Sequence, residues 1–522
     1  MGRTRIRAAR IVAVIIALNL AQLVQAQSAD PTWIPLNPTG GPPGQRLLPS
    51  AAYDPTTNRM IVFGGANEDY GTVCTNSGAV CYNDVWVLAN ADGLGGTPAW
   101  SQLAPSGVSP APRFGSGAGY DPGNNRLIIF GGGIVDDSAL SGACTAPLNI
   151  GYANDVWVLT NANGSGGPPA WTPVTPVGLP PAPRRSGATV YDAANNRLIM
   201  FGGNEPCGKS NDVWILSNAN GLGGTPAWTQ LTLSGSQPAP RGEMGFAGAY
   251  DVATNRLIIF GGESDLVDYN DVWVLSNANG LGGTPAWTQL SPAGGPPSAR
   301  HAHAVTYDAA ANTLTVIGGV DHPQTTFLGD VWRLSNSNGL GGTPVWTQLT
   351  PQGSSPGPRA GQSAVYHQAA GRATIFAGAH CLPCSGLNDT WVLAESTVVP
   401  FSAFSSAVRI NDESGGFAAR GGFTPGPGGT IDPPTQTVTF RLGGFTATIP
   451  AGSFQSNNGA FTFWGVVSGV PLEMAIQPQG GGGYTFGVEA AGGSHLPTGN
   501  PVTVGLTIGN NTGSIQVNAS FD

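Results

Sequence analysis

The side chains that could do chemistry are scattered rather than gathered in one motif. Six histidines, His301, His303, His322, His367, His380 and His495, are spread along a chain of 522 residues. Around them stand short groups of acidic and aromatic residues: Glu68, Asp69 and Tyr70, then Asp136 and Asp137, Glu205, Glu263, Asp265, Asp268 and Tyr269, and last Asp321 and His322. Carboxylates accept hydrogen bonds and tyrosines offer a flat apolar face. Such groups could bind a basic protein surface, a polyhydroxylated glycan or a divalent cation. Each of them also reads as an ordinary solvated loop residue. Between Asp265 and Asp268 there are too few oxygen-bearing positions for an EF-hand calcium loop. No HExxH pair is present, so the helical zinc-hydrolase device is missing.

The composition limits the setting. Gly and Pro number 79 and 44 and charged residues make up 10%, which excludes a coiled coil, while 13 Trp and 40% hydrophobic residues supply large cores. Arg3, Arg5, Arg7 and Arg10 precede an apolar run from Ile11 to Leu18 and a small-residue site at Val24, Gln25 and Ala26. Residues 1–26 are therefore expected to be a signal peptide. Removing those four arginines takes the formal charge from −9 to −13. A surface of that sign gives no reason to bind nucleic acid or anionic lipid. No transmembrane segment is expected in the mature chain. The six cysteines, Cys74, Cys81, Cys144, Cys207, Cys381 and Cys384, fit disulfides in an oxidising compartment better than a metal or redox site, because no second cysteine pair or histidine cluster completes the CxxC. A secreted or cell-surface location follows as the expectation, with the periplasm as an alternative.

The chain repeats itself. Phe63-Gly64-Gly65, Phe130-Gly131-Gly132, Phe201-Gly202-Gly203, Phe260-Gly261-Gly262, Ile317-Gly318-Gly319 and Phe376-Ala377-Gly378 form one mark, and each is followed by an Asp two residues before a Trp. Those pairs are Asp84 and Trp86, Asp155 and Trp157, Asp212 and Trp214, Asp271 and Trp273, Asp330 and Trp332, and Asp389 and Trp391. Successive tryptophans of this series are 71, 57, 59, 59 and 59 residues apart, a period suited to a propeller blade. Each unit holds four short strands. In the fourth unit they are expected at Phe246–Tyr250, Arg256–Phe260, Asp271–Leu275 and Trp287–Leu290. The chain opens on an isolated fourth strand, Trp33–Leu36, and its last unit lacks one. These complementary ends predict a closed ring of six blades over 27–394, with residues 33–36 completing the blade of residues 359–394.

The marks resemble those of the kelch-repeat β-propellers: the double glycine, the Asn-Asp-x-Trp that follows and the later tryptophan. The resemblance covers residues 33–394 and implies the fold, whereas the same architecture carries many activities. Within it, Arg46, Arg113, Arg184, Arg241, Arg300 and Arg359 are expected to be structural forks that bridge carbonyls or an aspartate. The series Trp86, Trp157, Trp214, Trp273, Trp332 and Trp391 is expected to pack between blades. Relatives of this pattern resembling galactose oxidase use copper, but no matching tyrosine-cysteine constellation accompanies His301 and His303, so no metal and no cofactor are expected.

Variation gathers in the second-to-third connections, residues 66–82, 133–153, 204–210, 263–269, 320–328 and 379–387, which should emerge on the face that also carries the entries to the first strands. There Cys74 with Cys81 and Cys381 with Cys384 would staple single loops, and Cys144 with Cys207 would tie blade 2 to blade 3. After the repeat, residues 395–435 read as a linker with one strand at Phe401–Ile410. Residues 436–522 read as a small antiparallel β-sandwich or barrel, because Val438, Phe440 and Leu442, then Phe461 and Phe463, then Leu472, Met474 and Ile476 alternate. Trp464 is expected to pack in a core or between domains; an exposed position would favour glycan stacking instead. The expectation is an all-β, monomeric, non-catalytic recognition protein that binds an unidentified extracellular protein or glycan. The alternatives are a carbohydrate-active enzyme, using carboxylates such as Asp136 and Asp321 across the funnel, and a structural envelope protein.

Overall fold

The computed structural model describes residues 30–67, 80–135, 150–243, 248–264, 267–321, 326–381, 385–395, 399–411, 415–426, 431–457, 459–467, 469–491, 497 and 499–521. Two compact units divide the described chain, Asp30–Glu395 and residues from 396 to the C-terminus.

The first unit contains six antiparallel sheets in chain order. Blade 1 is built from Ser50–Asp54, Arg59–Phe63, Val85–Ala89 and Ala99–Leu103, and blades 2 to 5 repeat the plan as far as Val345–Leu349. Blade 4 matches the expected spans within two residues, with strands Gly248–Asp251, Arg256–Phe260, Val272–Ser276 and Ala286–Leu290. Blade 6 has three strands of its own, Ser363–His367, Arg372–Phe376 and Thr390–Ala394. Its outer strand is Thr32–Leu36, with Trp33 opposite Leu393 and Pro35 opposite Trp391.

The second strand of blades 1 to 4 is apolar on both faces, as in Arg256–Phe260, where Leu257, Ile258, Ile259 and Phe260 are all fully buried, and blades 5 and 6 place the buried Thr315 and Thr374 in the same strand. A strand covered on both sides reads as a continuous hydrophobic run. Its Phe meets the fourth-strand Trp of the next blade: Phe63 with Trp171, Phe130 with Trp228, Phe201 with Trp287 and Phe260 with Trp346, at ring-centroid distances of 5.0–5.3 Å. Phe376 of blade 6 meets Trp100 of blade 1 at 5.0 Å. Blade 5 has Ile317 in this position, clustered with Trp33. This contact narrows the role expected for the other tryptophans, of which Trp214 and Trp273 are buried in apolar clusters that join neighbouring blades. Trp86, Trp157, Trp332 and Trp391 are only half-buried, and all six of that series donate the indole N–H to the Asp two residues earlier, at 2.6–2.8 Å. The aspartate fixes each of these indoles, while the fourth-strand indoles meet the aromatic ring of the preceding blade.

The second unit has a five-stranded and a seven-stranded sheet that share one apolar core, containing Ile410, Phe417, Phe440, Leu442, Met474, Val488 and Leu506. Residues 395–435 are not a linker. They supply Val399–Pro400 to the smaller sheet, and the hairpin of Ala403–Asn411 and Gly416–Thr424 lies inside the larger one. The Gly421-Gly422 pair reads as loop chemistry, but it sits within the strand. A Cβ on Gly421 would come within 2.0 Å of the Ser405 carbonyl oxygen and 2.6 Å of the Phe486 ring, so the glycine answers a close approach and not a turn.

Trp33 is 4% exposed and packs with Ile317, Leu349, Ile375 and Leu393. Trp33→Ala should therefore cost about 3–5 kcal/mol, as expected for a truncated core aromatic, read as a lowered urea midpoint of the propeller transition. An unchanged midpoint would show that the outer strand does not hold the ring.

Candidate functional site

The face that carries the loops is built from one repeated clamp. Each blade's arginine is buried, Arg46, Arg241 and Arg300 completely, and in five blades Nε donates to the carbonyl two residues earlier. One terminal nitrogen reaches the carbonyl of the first glycine, or of Ala377 in blade 6, at 2.8–3.1 Å. Both terminal nitrogens fork onto the same blade's aspartate: Asp84, Asp155, Asp212, Asp271, Asp330 and Asp389. Burial alone would raise the pKa of these acids. The arginine's hydrogen bonds and charge outweigh it, and Asp155, Asp212, Asp330 and Asp389 are held below the ordinary carboxylate value.

The backbone of the same arginine belongs to the preceding blade. The second glycine of each mark donates its N–H to the next blade's arginine carbonyl: Gly65 to Arg113, Gly132 to Arg184, Gly203 to Arg241, Gly262 to Arg300, Gly319 to Arg359 and, closing the circle, Gly378 to Arg46. Two residues after each arginine stands a residue in the left-handed region: Leu48, Gly115, Ser186, Glu243, Ala302 and Gly361. These form a belt in which Ser186 N–H bonds Gly115, Gly115 bonds Leu48, Leu48 bonds Gly361, Gly361 bonds Ala302, and Ala302 bonds Glu243.

Ser186 and Glu243 are the two ends of that belt, and side chains join them. Arg185 forms an ion pair with Glu243, and Asn204 donates to the same carboxylate oxygen at 2.6 Å. Beside them Lys209 of blade 3 meets Glu263 of blade 4 at 2.5 Å. Asp268 of blade 4 meets His301 Nδ1 of blade 5 at 2.8 Å, with Glu263 at 3.8 Å from the same nitrogen. Three adjacent blades are thus tied by buried charge.

Glu263, Asp268 and His301 bring potential ligand atoms within 4.8 Å of one another, a spacing that a divalent cation could use. Among the described residues the carboxylates Glu243, Glu263 and Asp268 already meet the basic groups Arg185, Lys209 and His301. Burial disfavours the charge on His301, but the hydrogen bond to Asp268 and the fields of Glu263, Asp268 and Glu243 prevail, and its pKa is raised above 6.5. Neighbouring His303 behaves in the opposite way. Burial, helped by the charges of Arg300 and His301, pushes it down to about 3 and keeps it neutral.

Of the loop residues singled out from sequence, Glu205 is bonded to Arg184 at 2.7 Å, and Glu263 and Asp268 lie in the cluster. Tyr269 lies flat against Arg241, 4.1 Å from the ring centroid, as Tyr82 does on Arg46 at 4.2 Å, so it belongs to the clamp. Asp321 Oδ1 accepts the Thr326 N–H at 2.7 Å. Glu68, Asp69, Tyr70, Asp136, Asp137, Asp265 and His322 lie outside the described residues, as do Cys74, Cys144 and Cys384. Among the described residues, none of Cys81, Cys207 and Cys381 is a free thiol. The second-to-third connections do meet the entries to the first strands: Leu47 bridges Ala66, Arg185 bridges Asn204, Gly242 bridges Glu263, His301 bridges Val320 and Ala360 bridges Ala379. Between them the face presents exposed Val80 and Val267.

A family model described as the KLHDC2/KLHL20/DRC7 Kelch-repeats domain matches residues 70–280 and 142–378, together more than half of the chain. Host cell factor 1 of Rattus norvegicus is 30% identical over 220 residues, 40% of this chain and 9% of that protein. The serine/threonine-protein phosphatase BSL2 of Arabidopsis thaliana is 29% identical over 255 residues, 46% of this chain and 22% of that protein. The chain therefore spans less than a quarter of either relative. Among solved structures, Trypanosoma rangeli sialidase aligns with 94% of this chain and 87% of that chain, at 10% identity and a TM-score of 0.39.

Because the His301 pKa is raised in the fold, its ion pair stabilises fully below the unfolded value of 6.5 and is lost as pH rises through the raised value. The loss of unfolding free energy in His301→Gln should accordingly be largest near pH 5.5 and shrink toward pH 9. His367 titrates in both proteins and cancels in this difference, and burial, the main cause of the His303 value of about 3, keeps that ring neutral across the range in both. A deficit that is flat across that range would mean that His301 is neutral in the cluster.

Proposed function

Since the chain belongs to the kelch-repeat family of β-propellers, we propose that it is an exported, non-catalytic recognition protein that holds a protein partner on its loop-bearing face. The observation that carries this reading is the ion-pair cluster across blades 3, 4 and 5. Isolated ion pairs add little stability, and buried ones often add none over apolar packing. Their value here is to fix the loops of three blades relative to one another, so less ordering entropy opposes binding.

The cysteines extend the same logic. In the pairing expected from sequence, Cys74 with Cys81 and Cys381 with Cys384 would fasten single loops, and Cys144 with Cys207 would add blade 2 to the three tied by charge. The basic, apolar N-terminal 26 residues and the six cysteines support export into an oxidising compartment. Among the described residues no helix is long and apolar enough to cross a membrane. Exposed Val80 and Val267 stand between anchored loops, a pattern suited to a partner that covers small apolar spots inside a polar rim. The carboxylates Glu205, Glu243, Glu263 and Asp268 each have a basic partner, which favours binding over acid catalysis.

The test is retention of proteins from cell-surface extract on the immobilised, oxidised chain. Retention should saturate, fall at least about tenfold, the loss of one interface anchor, with Val267→Asp combined with Tyr70→Ala, and stay unchanged with Trp464→Ala. Release of reducing sugar from a polysaccharide by the purified chain, or retention indifferent to the loop substitutions, would overturn the proposal.

A further inference from the structure

Among the described residues, the second unit carries a surface with an exposed aromatic side chain that the propeller does not show. Ala460–Val467 buries one side of the strand and turns Thr462, Trp464 and Val466 outward, and Trp464 is 80% exposed. This reverses the expectation that Trp464 packs in a core. Alternation explains it, since Phe461 and Phe463 pack against the core and the residue between them must face the other way.

Strand register places its neighbours. Trp464 is opposite Glu473, and Glu473 is opposite Glu489. In the adjoining row Thr462 is opposite Ala475, Ala475 opposite Gly487, and Gly487 opposite Arg420. Arg420 and Glu489 are exposed and joined at 2.9 Å. A Cβ built on Gly487 would meet nothing within 4 Å. The small residues Ala475 and Gly487 therefore leave an open strip, bounded by the indole on one side and by the Arg420–Glu489 pair on the other.

The geometry points to a glycan-binding platform on this sheet, built by Trp464, Glu473, Glu489 and Arg420, for a neutral polysaccharide with equatorial hydroxyls. The indole offers a flat apolar surface to the C–H face of a sugar ring. Glu473 and Glu489 accept hydrogen bonds only and Arg420 donates only, and a ring of hydroxyls satisfies both kinds at once. Charge supports this occupant over a peptide. A basic peptide would have to displace Arg420, and an acidic one would face two carboxylates. This inference does not rest on the proposed function of the propeller face.

The experiment is affinity electrophoresis of the full chain in native gels containing soluble mixed-linkage β-glucan. Expected are retardation by the polymer, its loss in Trp464→Ala, its partial retention in Trp464→Phe, and a weakening of at least about threefold in Glu473→Gln, the loss of one hydrogen bond. Val267→Asp should leave retardation unchanged, which separates this site from the propeller face. With a side chain this exposed, the alanine variant should keep the wild-type unfolding midpoint. Wild-type mobility unaffected by the glucan, retardation that survives Trp464→Ala, or loss of protein retention alone in that variant would each overturn the proposal.

Discussion

Six buried guanidinium groups hold the propeller together, and each can be there only because several partners arrive at once. An arginine sealed from water needs its charge compensated and its donors filled. The bidentate aspartate supplies the charge, and the first carbonyl of the glycine mark takes a further N–H. The same residue's backbone carbonyl then receives the second glycine of the preceding blade. Clamp and ring are consequently one constraint. It explains the glycines without appeal to turns alone: a Cβ on Gly64 would stand 2.6 Å from the Arg113 carbonyl oxygen, and one on Gly318 would stand 2.6 Å from that of Arg359. Aspartate in turn orients the indole behind it, so Arg, Gly-Gly, Asp and Trp recur together as parts of a single joint.

That joint is why the propeller was legible in sequence. Its parts are charged, aromatic or glycine, residues that stand out, and they return at nearly constant spacing. The mismatch between the first and last units also pointed to Thr32–Leu36 as an outer strand. Less visible was which tryptophan does what. Both series are periodic, and only their partners separate them: the indole of Trp171 meets Phe63 of the preceding blade, while that of Trp157 donates to Asp155. In the second unit, the alternation of Val438, Phe440 and Leu442 was plain, whereas the strand through Gly421 was hidden because its glycines serve a close approach to Phe486.

The cluster on the face was half legible. Glu263 and Asp268 stood out as acids where the repeat varies, but their partners lie on neighbouring blades: Lys209 is 54 residues before Glu263, and His301 is 33 residues after Asp268. No local spacing encodes such pairs. A signal did exist in the columns after the repeated arginine. The position directly following it reads Leu47, Phe114, Arg185, Gly242, His301 and Ala360, and the next reads Leu48, Gly115, Ser186, Glu243, Ala302 and Gly361. Charge at Arg185, Glu243 and His301 breaks both columns. Glu243 shares its left-handed φ with Leu48, Ser186 and Ala302 at the same place in their blades, so the repeat's backbone sets its conformation and only its carboxylate is new there.

Placement decides what such a cluster is for. In the core, three ion pairs would replace apolar contacts at little or no gain in stability. Here, among the described residues, they span the gap in the backbone belt between Ser186 and Glu243, and add side-chain ties to the Gly203–Arg241 backbone bond that already links blades 3 and 4. Charge pairing also sets the limits of the site's chemistry. A divalent cation would have to compete with the ammonium of Lys209 for Glu263 and with Asp268 for His301 Nδ1, and a general acid would need a carboxylate released from its partner. The outward row through Trp464 has the opposite character. Its aromatic face is uncovered, and of its polar groups only Arg420 and Glu489 pair with each other, in water. One surface uses its charges internally to hold a shape, and the other leaves them available to meet a ligand.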